Sequence, residues 1–172
     1  LFYELGGYEA EPLSPANPLF IVNGPLSGTS LPGCSRLEIC ARSPLSGIWG
    51  ESSMGGHASP QLKGTGYDGI VFTGASAQPV YLYLSEGNVE LRDASHLWGM
   101  DTFETEDALR EELGDRRVQV MSIGPAGENL VRYAGVVSDR GSLAARSGMG
   151  AVMGSKKLKA VAVRGKLKYR VA

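Results

Sequence analysis

The sequence predicts an α+β fold, and three observations carry that prediction. Short apolar runs closed by turn residues recur from one end of the chain to the other. Only one segment has the capping residues of a full helix. The 24 glycines in 172 residues are clustered rather than spread, which marks places where the backbone turns sharply or lies close to another group. Many strands with few helices is the α+β pattern.

Residues 1–18, LFYELGGYEAEPLSPANP, open on apolar residues that read as the end of a helix and then run into a proline-rich stretch. Residues 19–22, closed by Asn23 and Gly24, and residues 37–41 read as strands around a loop, GPLSGTSLPGCSR. Residues 43–56 have loop chemistry. A short helix is expected near residues 57–63 despite Pro60, with a strand at 69–73. Residues 80–84 and 89–92, divided by SEGN, form the clearest hairpin. Thr102 or Thr105 caps a helix that runs to Leu113, with Glu104, Glu106 and Asp107 at its positive end and Gly114 at its stop. Strands are expected again at 118–123, 130–137 and 158–164. GPAGEN turns between the first two, and a glycine-punctuated element fills 148–156.

Two segments resemble each other. Residues 54–74, MGGHASPQLKGTGYDGIVFTG, and 149–165, MGAVMGSKKLKAVAVRG, both run Met-Gly, short helix, Leu-Lys, strand, Gly. They lie too far apart for a solenoid and suggest a duplicated half-domain. A pseudo-twofold arrangement would put both glycine clusters on one face.

Composition narrows the function. Hydrophobic residues at 42% and charged residues at 20% suit an ordinary globular chain, and the length suits one domain over residues 1–172. A net charge of −1 gives no strong field toward nucleic acid or an anionic membrane. No apolar run is long enough to span a bilayer, and the first residues do not read as a signal peptide, so a cytoplasmic location is expected. Cys34 and Cys40 are too few for a disulfide framework or a tetrahedral metal site and read as structural.

Any anion must therefore be held by local groups. Arg36, among glycines and hydroxyls, is either a planar clamp for phosphate or carboxylate or a surface arginine after a turn. Ser52, Ser53, Gly55 and Gly56 offer hydroxyls and unobstructed amides before a helix start; a plain helix entry is the alternative. Residues 142–160, SLAARSGMGAVMGSKKLKA, fail as a dinucleotide fingerprint because no strand leads directly into them, and fail as a P-loop because Ser155 precedes Lys156. What survives is small residues, Arg146 and a helix start able to press against a bulky anion. Glu128 sits in a turn, where a carboxylate is usually solvated or capping, and His57 and His96 lack ligand partners. Trp49 and Trp98 read as core before pocket.

Taken together, GPLSGTS, SPLSG, GYDGIVFTG, DASHLWG, SIGPAGENLVRYAG and GAVMGSKKLKAVAVRG, in this order over nearly the whole chain, resemble the aldehyde ferredoxin oxidoreductase family. The resemblance implies an amino-terminal domain of two β-sheets related by internal duplication, forming the base for a tungsten (or molybdenum) bis-pterin cofactor. It implies oxidation of aldehydes to carboxylic acids, with electrons passed through a 4Fe-4S cluster to ferredoxin or another electron-transfer subunit. The first strand of the family domain and the carboxy-terminal helical domains, which hold the cluster and the residues acting at the metal, are not in this sequence. No catalytic residue is expected here, and the domain alone is expected to be inactive.

Carried over residue by residue, Arg36 matches an arginine that touches the pterin. Ser53 falls where many members have an asparagine whose backbone carbonyl helps hold the magnesium ion bridging the pterin phosphates, and Gly55 follows as a cofactor contact. Leu143 falls at the second such carbonyl, flanked by Ser142, Ala144 and Ala145. The family usually reads Arg-Ala-Ala-Gly there; Arg140 or Arg146 stands in for the arginine this sequence has lost. PGCSR, IWGESS and GGH look closer to benzoyl-CoA reductase-type subunits than to archaeal aldehyde oxidases. A non-catalytic β-rich module that kept the fold is the reading from a different class.

Overall fold

The structure, a computed structural model, describes residues 1–167; the last five residues of the expected domain, 168–172, lie outside the described residues. The first sheet contains β1 (Leu19–Asn23), β2 (Leu37–Arg42), β3 (Trp49–Met54) and, after helix α1 (Ala58–Lys63), β4 (Gly69–Phe72). The hairpin of β5 (Val80–Ser85) and β6 (Asn88–Asp93) and helix α2 (Thr102–Glu112) come next in the chain. They are followed by β7 (Gln119–Ser122), α3 (Pro125–Glu128), β8 (Val136–Ser138), β9 (Ser142–Ala144), α4 (Met149–Ser155) and β10 (Leu158–Arg164). Strand order is β3-β2-β1-β4 in the first sheet and β6-β5-β10-β7-β8-β9 in the second.

The internal repeat is real and larger than the sequence reveals. Without the β5–β6 hairpin, the second sheet reads β9-β8-β7-β10, the same order as β3-β2-β1-β4, with every pair antiparallel in both. α1 before β4 and α4 before β10 are the similar segments seen in the sequence. The registers agree as well. Leu37 opposes Met54 and Glu38 opposes Ser53 in the first unit; Val136 opposes Ala144 and Val137 opposes Leu143 in the second. Ser53 and Leu143 are thus equivalent positions, each next to last in its strand.

One core fills the space between the sheets and helices α1 and α4, built on Leu19, Ile39, Met54, Met121, Val152 and Val161. A second lies beneath α2, around Tyr81, Leu109, Val120 and Ala162. β10 is buried on both faces, which explains its run of apolar residues from Ala160 to Val163. Two charged residues flank that run: Arg164, whose Nε donates to Asp115 Oδ2 at 2.8 Å, and Lys159, which is fully buried, donates from Nζ to Met100 O at 2.8 Å and pairs with Glu128. Among the described residues no helix is long and apolar enough to cross a membrane.

Several elements depart from the sequence reading. Residues 43–56 contain β3, whose buried positions are Gly50, Ser52 and Met54. Two are polar or side-chain-free, so no alternating apolar pattern marks the strand. At Gly50 an added Cβ would come within 2.7 Å of Ser147 Cβ, so small size is what packing requires there. GPAGEN is a turn of helix begun by Pro125, and Glu128 within it is a buried ion-pair partner. The strand expected at 130–137 survives only as Val136–Ser138, because Leu130 takes a left-handed φ of 58° and the backbone turns at residues 132–133. α2 is capped by Asp101, whose side chain accepts from Phe103 and Glu104 while Glu104 reaches back, a capping box that outcompetes either threonine. Residues 1–9 form turns rather than a helix end.

Lys156 supplies a pH test of the packing. It is 4% exposed, its Nζ donates to Pro15 O (3.2 Å) and Gly74 O (2.9 Å), and burial lowers the ammonium from 10.5 to about 8. Between those values the unfolded chain holds the proton and the folded chain does not, so stability rises with pH across this window. The urea midpoint of the wild type is expected to gain on that of Lys156→Met between pH 8 and 10.5. Parallel curves would contradict the assignment.

Candidate functional site

The two edge strands β3 and β9 meet at the seam between the repeated units. Polar contacts across about a hundred residues of sequence hold them there. The Arg146 N–H donates to Ser52 Oγ (3.0 Å), Ser147 Oγ to Glu51 O (3.2 Å), and Ser43 Oγ to Ser147 O (2.8 Å). The seam opens as a cleft of about 500 Å³. Six residues singled out from the sequence line it: Arg36, Ser52, Ser53, Leu143, Ala145 and Arg146.

Gly55 and Ser142 sit at its margin. A Cβ built on Gly55 would stand 3.6 Å from the Arg36 guanidinium, so a larger side chain there would fill the space beside it. Ser142 Oγ lies 2.5 Å from where a Cβ on Gly56 would be. Ala144 is not brought to the cleft; it is fully buried in the core between the sheets.

Two carboxylates on the cleft, Glu38 and Glu51, were missed in the sequence. Glu38 alternates with buried Leu37 and Ile39, which was a legible sign that it faces outward. Glu51 was hidden because its strand reads as a loop. Both carboxylates, after burial as the larger cause, push the neighbouring Cys40 thiol up to about 12, and that thiol stays protonated at neutral pH.

Arg36 and Arg146 against Glu38 and Glu51 leave the lining formally neutral. Arg36 is exposed, and its Nε donates to Ser53 Oγ at 2.7 Å. This fixes the plane of the guanidinium. The Ser53 hydroxyl thus orients Arg36, a role separate from the main-chain carbonyl that the resemblance assigns to this residue.

Backbone strain collects at this seam. Of five described non-glycine residues with left-handed φ, three flank β9: Asp139 (51°), Arg140 (53°) and Ser147 (63°). Such strain persists where surrounding structure enforces it, commonly at binding sites.

Two copies of one β-unit, joined along their edges around a cleft lined by two arginines and two glutamates, define a duplicated α+β scaffold domain. The chain belongs to the aldehyde ferredoxin oxidoreductase family: its sequence matches the aldehyde ferredoxin oxidoreductase N-terminal domain over residues 1–165. It is 48% identical, over 95% of its length, to a tungsten-containing aldehyde ferredoxin oxidoreductase of Thermococcus kodakarensis, and 49% identical, over 90%, to one of Pyrococcus furiosus; these alignments cover 27% and 26% of the relatives. Among solved structures, the active site complex BamBC of benzoyl coenzyme A reductase superposes with a TM-score of 0.94 at 46% identity, over 97% of this chain and 25% of that one. The chain thus spans about a quarter of the length of the relatives it matches.

Proposed function

We propose that this chain is the cofactor-cradling amino-terminal domain of a tungsten-dependent oxidoreductase, acting on aldehydes together with the remaining domains of the same enzyme. The observation that carries the reading is the meeting of Arg36, Ser53, Leu143 and Arg146 at one cleft. Ser53 and Leu143 occupy equivalent positions of the duplicated units, which suits a ligand built of two similar pterins.

The residues present fit such a group. Gly55 leaves room beside the Arg36 guanidinium; Arg36, its Nε held by Ser53 Oγ, and the exposed Arg146 supply guanidinium donors for phosphate. The main-chain carbonyls of Ser53 and Leu143 would hold magnesium. Among the described residues no three His, Cys, Asp or Glu side chains converge as metal ligands, so a cation here rests on carbonyls and on the phosphates of the ligand itself. With Glu38 and Glu51 cancelling both arginines, a doubly phosphorylated ligand needs a divalent cation to offset its charge.

Bound here, a tungsten bis-pterin would supply the two-electron oxidation of aldehyde to carboxylic acid, and a 4Fe-4S cluster on the remaining domains would pass the electrons to ferredoxin. This chain's own part is to bind and orient. Its cleft residues clamp the phosphate ends and exclude water from one side, and none is assigned to proton transfer.

The full-length protein is expected to purify with tungsten or molybdenum and with two pterins per chain. A fully active enzyme without either metal would overturn the proposal. The match to benzoyl coenzyme A reductase favours a second reading, the same scaffold in a subunit acting on an aromatic acyl-CoA. Turnover of an aldehyde or of an aromatic acyl-CoA by the full-length protein separates the two.

A further inference from the structure

One side chain outside the cleft ties its two walls together. Asp139 lies in the turn between β8 and β9, and its Oδ2 accepts the His57 main-chain N–H at 2.6 Å and stands 3.5 Å from His57 Nδ1. Although it springs from a hairpin turn, its side chain is only 15% exposed. The fit is closed on the other side as well. A Cβ on Gly56 would come within 2.2 Å of Asp139 Oδ2, and Gly56 has a φ of 86°. Asp139 and Arg140 are both left-handed, a conformation that aspartate tolerates better than most residues.

This link has a defined leverage. His57 is four residues after Ser53, and Leu143 is four residues after Asp139. The bond therefore joins the chain just beyond one proposed carbonyl to the chain just before the other. The remaining cross-links, through Ser52, Glu51 and Ser43, run to residues 146 and 147, on the far side of β9. Losing Asp139 leaves the sheets joined but frees the turn at residues 55–57 from the hairpin.

We propose that Asp139 is a positioning residue that sets the span between the Ser53 and Leu143 carbonyls, and thereby the fit of the cleft to a doubly phosphorylated ligand. The inference rests on the bis-pterin reading of the cleft. Asp139 acts through His57 and Gly56, touching no ligand itself.

The test compares Asp139→Gly and Asp139→Asn in the full-length protein. Glycine keeps the left-handed backbone and removes the acceptor; asparagine keeps both. Tungsten and pterin per chain after gel filtration are expected to fall about tenfold in Asp139→Gly, the effect of one charged hydrogen bond. Asp139→Gly should still fold, with its urea midpoint lowered only by the share of that one bond, and Asp139→Asn should retain cofactor. Wild-type loading of Asp139→Gly, loss of its fold, or equal loss of cofactor in Asp139→Asn would each overturn the proposal. A wild type that carries neither metal nor pterin refutes the cleft reading instead, so the two failures are distinct.

Discussion

Replacing Lys159 with methionine is expected to destabilise the fold by about 3 to 5 kcal/mol, the cost of leaving one member of a buried ion pair without its partner. Lys159 is fully buried and Glu128 nearly so. Besides Lys159, Glu128 accepts only the Gly99 N–H among its described bonds, at 2.9 Å. The pair links β10, the central strand of the second sheet, to α3 and to the loop before α2. α3 in turn packs on α4 so tightly that a Cβ on Gly154 would lie 2.0 Å from Gly127 O. Urea unfolding at pH 7 measures the loss. The double replacement Lys159→Met with Glu128→Leu should recover much of it, because no charge is then left buried. A single-variant loss below about 1 kcal/mol, typical of an exposed pair, would contradict the burial.

Arg36→Ala is expected to act on the ligand and not on the fold. The side chain is exposed and contributes no core contact. Its Nε is held by Ser53 Oγ, which presents the guanidinium beside Gly55. Losing one or two charged hydrogen bonds costs about 1.5 to 3 kcal/mol each, so cofactor retention in the full-length enzyme should fall by roughly tenfold or more. Arg36→Lys should recover only part, since an ammonium lacks the planar fork. Tungsten and pterin content after desalting is the readout, and unchanged content would remove Arg36 from the site.

The parts of this architecture that sequence made legible are those with local signatures. The Ser85–Asn88 turn announces the β5–β6 hairpin, and the paired Met-Gly to Leu-Lys segments announce the duplication. β3 was illegible because the seam demands small residues at Gly50 and Ser52, and these erase the alternation that marks a half-buried strand. The site was legible only in pieces. Arg36 and Ser53 can be singled out along the chain, Leu143 follows from the family resemblance, and the duplication already suggests that their segments share a face; that β3 and β9 lie edge to edge there is a long-range contact with no local sign. Glu51 was lost with its strand. Asp139 was lost because its partner, a main-chain N–H, leaves no mark in sequence.

In the proposed reading the cofactor sits in the seam between the duplicated units. Amide hydrogen exchange of the full-length protein, with and without its cofactor, tests it directly. Exchange at residues 52–56 and 142–146 should slow in the loaded protein, while the distant β5–β6 hairpin stays unchanged. Equal exchange at both segments in the two states would place the cofactor elsewhere.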